Sequence, residues 1–182
     1  MVQEAADLLA KESIVSTVPV KGQFVSSYFA VPKPRSPGKF RPILNLKKFN
    51  NAVKKYRFRM EGLKQVRDWV QKDAWFCVMD LKDAFLHIPI QESFRKFLRF
   101  RWLGSLLEWQ VLPFGLKCSP RVLTKVLKPV VAFLRVTWGI LITIFMDDIL
   151  IQGSSPYQVY LHAQVFCSAA HVSGLVPALE EK

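Results

Sequence analysis

An α+β domain built on a largely antiparallel sheet is the fold class this sequence predicts. Three observations point to it. Apolar runs of strand length are interspersed with helical segments, without strict β-α-β repetition. Several of those runs are paired across short breaker sequences, as hairpins are. Apolar residues make up 51% of the 182-residue chain, enough to bury one domain's core, or a domain and a small subdomain.

The elements follow in order. Residues 1–12 alternate like a short amphipathic helix, with Ala5, Leu8 and Leu9 on one side. Tyr28–Val31 and Phe40–Leu44 read as strands of a basic hairpin. Their connector, Pro32–Lys39, carries three prolines and a glycine, a plain breaker. A helix is expected over Glu61–Gln71. Trp75–Met79 is a continuous apolar run, the mark of a strand buried on both faces. Phe97–Trp102 and Leu106–Val111 flank Gly104-Ser105 and read as a second hairpin. Ser119-Pro120 places a capping hydroxyl and a first-turn proline at the start of a long helix reaching about Val136. Pro129 inside it predicts a kink or break near Lys128. Gly139–Met146 and Ile149–Gln152 are apolar strands joined through Asp147-Asp148, and a helix over Pro156–Val172 ends at Gly174.

Charge narrows the partners. The chain carries 26 Lys and Arg against 14 Asp and Glu, a net +12. Residues 33–67 hold twelve basic residues and one acid, Glu61, so this stretch alone supplies +11. A single basic block on an otherwise neutral chain is the footprint of a polyanion, nucleic acid or nucleotide phosphate. A solvated face is the plainer alternative. The opening residues include Glu4, Asp7 and Lys11, so no secretory leader is expected. Gly139–Met146 is too short to span a bilayer. An intracellular location, cytoplasmic or nuclear and not secreted, is expected, with no membrane partner. Cys77, Cys118 and Cys167 form no C-x-x-C pair and are read as buried or idle thiols in a reducing compartment, and the three histidines as structural.

The chemistry lies in where the aspartates fall. Asp80 ends the apolar run from Trp75, and Asp147 and Asp148 interrupt two further apolar runs. Carboxylates at the edges of core strands are costly unless paired or bound to a cation. Two of them ~4 Å apart would repel by ~4 kcal/mol at an effective dielectric of ~20. A divalent ion removes that penalty, and hard oxygen ligands without nearby Cys or His point to Mg²⁺. Side chains alternate along a strand, so Asp147 and Asp148 must lie in a tight turn to serve one site with Asp80. Such a turn beside the Asp80 strand would build a two-metal phosphoryl-transfer site. Taken alone, Met-Asp-Asp reads more readily as polar turn punctuation.

Four segments, in order, carry a resemblance. They are Tyr28–Lys33 with Gly38–Leu46, then Val78–Phe85, Leu112–Pro120 and Phe145–Asp148. Together they resemble the reverse transcriptase family over nearly the whole chain from about Gly22, with Arg95–Phe100 and Pro120–Lys125 closest in wording to DIRS-like retrotransposons. The resemblance implies fingers and a palm, the palm having a ferredoxin-like antiparallel sheet with packed helices. It implies a helical lead over 1–20, a basic fingers-type subdomain over 21–73 and a palm over 74–182, with part of the fingers at about 90–118. Thumb and ribonuclease H are expected to be absent.

The same resemblance implies residue roles. Asp80, Asp147 and Asp148 would be the catalytic metal ligands, with Leu81 offering its backbone carbonyl to two Mg²⁺ ions, Mn²⁺ being a possible substitute. Arg41 and Lys33 would grip the incoming triphosphate. Phe114 and Gly115 would line the nucleotide pocket. Phe85 would stack under the sugar and exclude a 2′-hydroxyl, its alternative being ordinary core packing. Lys39, Lys47, Lys48 and Met146 would contact template and primer, and Lys182 would be a possible general acid. Phe145 stands where the family more often has tyrosine. The implied function is RNA-directed DNA synthesis from deoxynucleoside triphosphates on a primed RNA or DNA template. Two alternatives remain open: a catalytically silent nucleic-acid-binding remnant of a retroelement, and an RNA-templated RNA polymerase, which Phe85 disfavours. Oligomeric state is not legible.

Overall fold

The computed structural model describes residues 2–32 and 40–179. In chain order the elements are α1 (Val2–Ala10), β1 (Ile14–Ser16), β2 (Val25–Pro32), β3 (Phe40–Asn45), α2 (Lys47–Ala52), α3 (Leu63–Trp69), β4 (Trp75–Leu81) and α4 (Glu92–Arg95). There follow β5 (Arg99–Trp102), β6 (Ser105–Trp109), α5 (Ser119–Trp138), β7 (Leu141–Phe145), β8 (Asp148–Gly153), α6 (Pro156–Val172) and β9 (Pro177–Leu179). The chain forms two compact units, Met1–Tyr56 with Phe85–Ser119, and Arg57–Ala84 with Pro120–Lys182.

The first unit is a five-stranded sheet in the order β1-β6-β5-β2-β3. It is antiparallel except for β2 against β5, which run parallel over Val25–Ser26. The β5–β6 hairpin turns through Leu103 and Gly104, at φ 47° and 81°. Left-handed φ at both central positions is the turn whose twist suits a two-residue hairpin, so the turn sits one residue earlier than the Gly104-Ser105 reading placed it. Ile14, Phe100 and Trp109 are buried here, with the Phe100 ring 4.5 Å from that of Tyr28. Within this core Arg99 and Glu108 form a buried ion pair, Nε donating to Oε2 at 2.7 Å. The guanidinium's remaining donors reach the Val18 carbonyl and the Gln23 amide oxygen at 2.9 and 2.7 Å. Such further bonds are what make a buried charge tolerable.

The second unit reads α3-β4-α5-β7-β8-α6-β9 along the chain, with residues 85–119 inserted between β4 and α5, up to the first residue of that helix. Its sheet is ordered β7-β8-β4-β9 and is antiparallel throughout. That order is the ferredoxin-like split β-α-β arrangement, as expected for a palm. Met79, Leu81, Ile149 and Ile151 point to one face and are buried. Helix α6 packs on β8 and β4 through Val159, Ala163, Phe166 and Ala170. Gly153 permits the close approach at its start, since a Cβ there would meet Val159 Cγ2 at 2.9 Å. Ser155 caps α6 by accepting from the Gln158 amide at 3.2 Å.

Two expectations need correction. The Trp75–Met79 run is not buried on both faces: Phe76 and Val78 are exposed, on the side opposite Met79. Its apolar composition reflects one covered face and one open one. Nor does α5 break at Pro129. The helix runs on because Leu123, Leu127, Val131 and Leu134 form a continuous buried stripe across the proline. Lys125, four residues before the proline, is exposed, so water can take the helix bond that proline cannot make.

Candidate active site

The strand register assembles the acidic side chains. β4 and β8 pair so that Asp80 stands directly opposite Asp148. One step further, the Leu81 amide donates to the Asp147 carbonyl at 3.0 Å. Hydrogen-bonded and non-hydrogen-bonded pairs alternate in an antiparallel ladder, so this bond makes Asp80 and Asp148 a non-hydrogen-bonded pair. The Cα atoms of such pairs lie roughly 4.5 Å apart and their side chains are closest. Both therefore project from the same, open face of the sheet, the one with Phe76 and Val78. Asp147 lies in the two-residue turn Met146-Asp147 that joins β7 to β8, and Asp148 is the first residue of β8. Met146 takes φ 58°. For a non-glycine residue that conformation costs on the order of 1–3 kcal/mol and persists only where its surroundings hold it.

Like charges directly opposed across two strands are destabilising, and a cation between them reverses the sign. The donors are all hard oxygens, so the chemistry of the pair fits a divalent ion such as Mg²⁺. Among the described residues no three His, Cys, Asp or Glu side chains are grouped closely enough to hold a metal ion. The fit thus rests on the opposed pair, with Asp147 beside it in the turn. Asp148 is exposed, while Asp80 and Asp147 are half-buried.

The residues expected to contact the nucleotide belong to the first unit. Phe85 is 8% exposed and meets the Phe114 ring edge to face at 5.6 Å, while Phe114 is largely open. Gly115 adopts φ 83°, a conformation that glycine takes without penalty. Its loop is held by a residue the sequence did not single out. Asn50 Nδ2 donates to the Gly115 carbonyl at 2.8 Å, and Asn50 Oδ1 accepts from the Lys117 amide at 2.8 Å. Lys117 Nζ returns to the carbonyls of Asn50 and Val53 at 3.0 and 2.8 Å. Lys47 and Lys48 are exposed on the first turn of α2. β3 sets Arg41 opposite Val31 in the hairpin, and its side chain is outside the description. Lys33, Lys39 and Lys182 lie outside the described residues. Of the basic block, Lys54, Lys55, Arg57, Arg59, Lys64 and Arg67 are all exposed.

In the second unit Met146 lines a cavity of about 220 Å³ with Arg59, Lys128, Leu127 and Ile144. Glu61 and Arg135, neither given a role from the sequence, share it as an ion pair with both oxygens engaged at 2.7 Å. Their only sequence signal is that Glu61 is the single acid in the basic block.

Cys77, Cys118 and Cys167 form no disulfide. Burial raises the Cys77 thiol, and raises Cys167, where the charge of Cys77 adds to the effect. Raised thiols stay protonated at neutral pH, so at pH 8 both should alkylate with iodoacetamide more slowly than a free cysteine. The folded state holds these protons more tightly than the unfolded one. Stability is therefore full below the ordinary thiol range and falls as pH rises from there through the raised folded-state range. Alkylation at the free-thiol rate would contradict this.

The profile of the family described as "Reverse transcriptase (RNA-dependent DNA polymerase)" matches residues 31–178. The chain belongs to the reverse transcriptase family. It is 25% identical over 158 residues to the "Retrovirus-related Pol polyprotein from transposon 412" of Drosophila melanogaster, covering 85% of this chain and 12% of that polyprotein. It is 28% identical over 172 residues to the "Gag-Pro-Pol polyprotein" of Human T-cell leukemia virus 3 (strain 2026ND), covering 90% of this chain and 12% of that polyprotein. The fold matches the crystal structure of Prototype Foamy Virus Protease-Reverse Transcriptase with a TM-score of 0.80 at 19% identity, over 97% of this chain and 22% of that one. The chain thus spans a small part of the relatives it matches. Among the described residues no helix is long and apolar enough to cross a membrane.

Proposed function

We propose that the chain is the fingers and palm of an RNA-directed DNA polymerase, adding deoxynucleotides to a primer 3′ end on an RNA or DNA template. One observation carries this reading: two carboxylates opposed across a non-hydrogen-bonded pair, with a third in the adjoining turn, on the open face of a ferredoxin-like sheet. Asp80, Asp147 and Asp148 would hold the divalent ions, with the Leu81 carbonyl assisting. When bound, Mg²⁺ would activate the primer hydroxyl and neutralise charge on the leaving pyrophosphate.

The remaining roles fall to this chain's own groups. Arg41 and Lys33 would bind the triphosphate, the guanidinium as a planar, always-charged fork. Gly115, pinned through Asn50, would let the backbone approach the nucleotide closely. The exposed lysines of α2 and Lys39 would take template and primer phosphates, Met146 would face the primer terminus, and Lys182 would serve as a proton donor to pyrophosphate. Residues 21–73 and about 90–118 would be fingers and the remainder from 74 palm.

Primer extension on poly(rA)/oligo(dT) with Mg²⁺ tests the reading, and incorporation of dTTP is the expected result. Salt-sensitive binding of the same duplex without incorporation would leave only a nucleic-acid-binding remnant. Phe85 gives a sharper outcome. Its buried ring against Phe114 would close the space beside the sugar's 2′ position. Phe85→Val should raise ribonucleotide incorporation relative to deoxynucleotide by about 10- to 200-fold, the range that even one methylene's worth of pocket space commands. An unchanged ratio would return Phe85 to plain core packing.

A further inference from the structure

β7 is an edge strand of the palm sheet. In its hairpin with β8, Phe145 opposes Asp148 across the two-residue turn. Phe145 and Thr143 therefore turn their peptide groups towards β8, and Ile142 and Ile144 turn theirs outward. Outward N–H and C=O groups on an edge strand are a ready template for another strand. Here two side chains meet them. The Ile144 amide donates to Glu61 Oε2 at 3.2 Å. The Ile142 carbonyl accepts from Arg135 Nε at 3.2 Å, and from Nη2 as well.

Glu61 and Arg135 are in turn locked to each other by two parallel bonds of 2.7 Å. The carboxylate stands where a neighbouring strand would present a carbonyl, and the guanidinium where it would present an amide. The fork-to-fork pairing fixes the spacing between them. Ile144 is two residues from Met146, whose left-handed backbone must be held in place, and three from Asp147.

We propose that the Glu61–Arg135 pair is a positioning device. It substitutes for a missing strand along the β7 edge and so fixes the Met146-Asp147 turn. The geometry stands independently of activity, whereas the consequence for metal use rests on the polymerase reading above.

The experiment is amide hydrogen exchange across residues 142–148 in the full chain, with Mn²⁺ titration alongside. It compares wild type, Glu61→Gln, Glu61→Ala and the double swap Glu61→Arg with Arg135→Glu. Glu61→Gln keeps an oxygen for the Ile144 amide and should exchange within a few-fold of wild type. Glu61→Ala and the swap should each exchange at least about tenfold faster at Ile144, as the loss of one hydrogen bond implies. In those two variants half-saturating Mn²⁺ should rise by about 10- to 100-fold, as for other groups that hold metal ligands in place.

An ordinary surface ion pair predicts the reverse ranking, because the swap restores opposite charges and Glu61→Gln does not. That ranking, or unchanged exchange in Glu61→Ala, overturns the proposal. Should Glu61→Ala fail to fold, the order of Glu61→Gln against the swap decides. A wild type without primer extension would count against the polymerase reading, while the exchange ranking would still judge the device.

Discussion

Asp147→Asn is expected to lower primer extension by about 10³-fold or more, with template-primer binding little changed. The substitution keeps the size of the side chain and removes its charge. Asp147 sits in a two-residue turn with its carbonyl bonded to the Leu81 amide, and that backbone bond does not depend on the carboxylate. The turn should therefore survive, and the loss should fall on the chemical step. Removing a single group that meets charge in a transition state costs 10²- to 10³-fold, and groups acting as a unit cost more. Asp80→Asn should match it, since Asp80 opposes Asp148 across the sheet. Single-turnover extension with saturating dTTP measures the effect, and activity surviving either substitution would remove that carboxylate from the chemistry.

Phe166→Ala is expected to destabilise the protein by about 3–5 kcal/mol, the cost of emptying a large buried aromatic site. Phe166 is 0% exposed, on the face of α6 that packs against β8 and β4. These are the strands that bear Asp148 and Asp80, so the ring supports the floor beneath the carboxylates. Urea denaturation should show a lower midpoint with an unchanged slope, meaning that stability rather than compactness has altered. A change below about 1 kcal/mol would mean that the core closes over the gap. A rigid floor matters because a catalytic geometry tolerates little looseness in the elements that carry it.

How much of this was legible in the sequence depended on whether the signal was local. Asp80, Asp147 and Asp148 stood out because charges interrupting apolar strands are costly and so mark a purpose. The long helices were legible too, α5 from its sustained apolar stripe and α6 from the Pro156 that opens it and the Gly174 that follows it. β1 and β9, three residues apiece, exist only through their pairing with β6 and β4, and no three-residue window encodes that. The open face of β4 was missed because Phe76 and Val78 read like core residues while lying exposed beside Asp80. Asn50, which pins the Gly115 loop from 65 residues away, and Glu61, bonded to Ile144 from 83 away, act wholly through tertiary contacts. Of the kink or break that Pro129 suggested, the break does not occur, because a continuous buried stripe outweighs one missing helix bond.

Fold and family are now established, and the use of the acidic cluster is the point on which the proposed function turns. Mn²⁺ titration followed by electron paramagnetic resonance, with template-primer and nucleotide present, addresses it most directly. Saturable Mn²⁺ binding that is lost in both Asp80→Asn and Asp147→Asn is the result expected. Binding of equal strength and number in wild type and in both variants would show that the ions sit elsewhere.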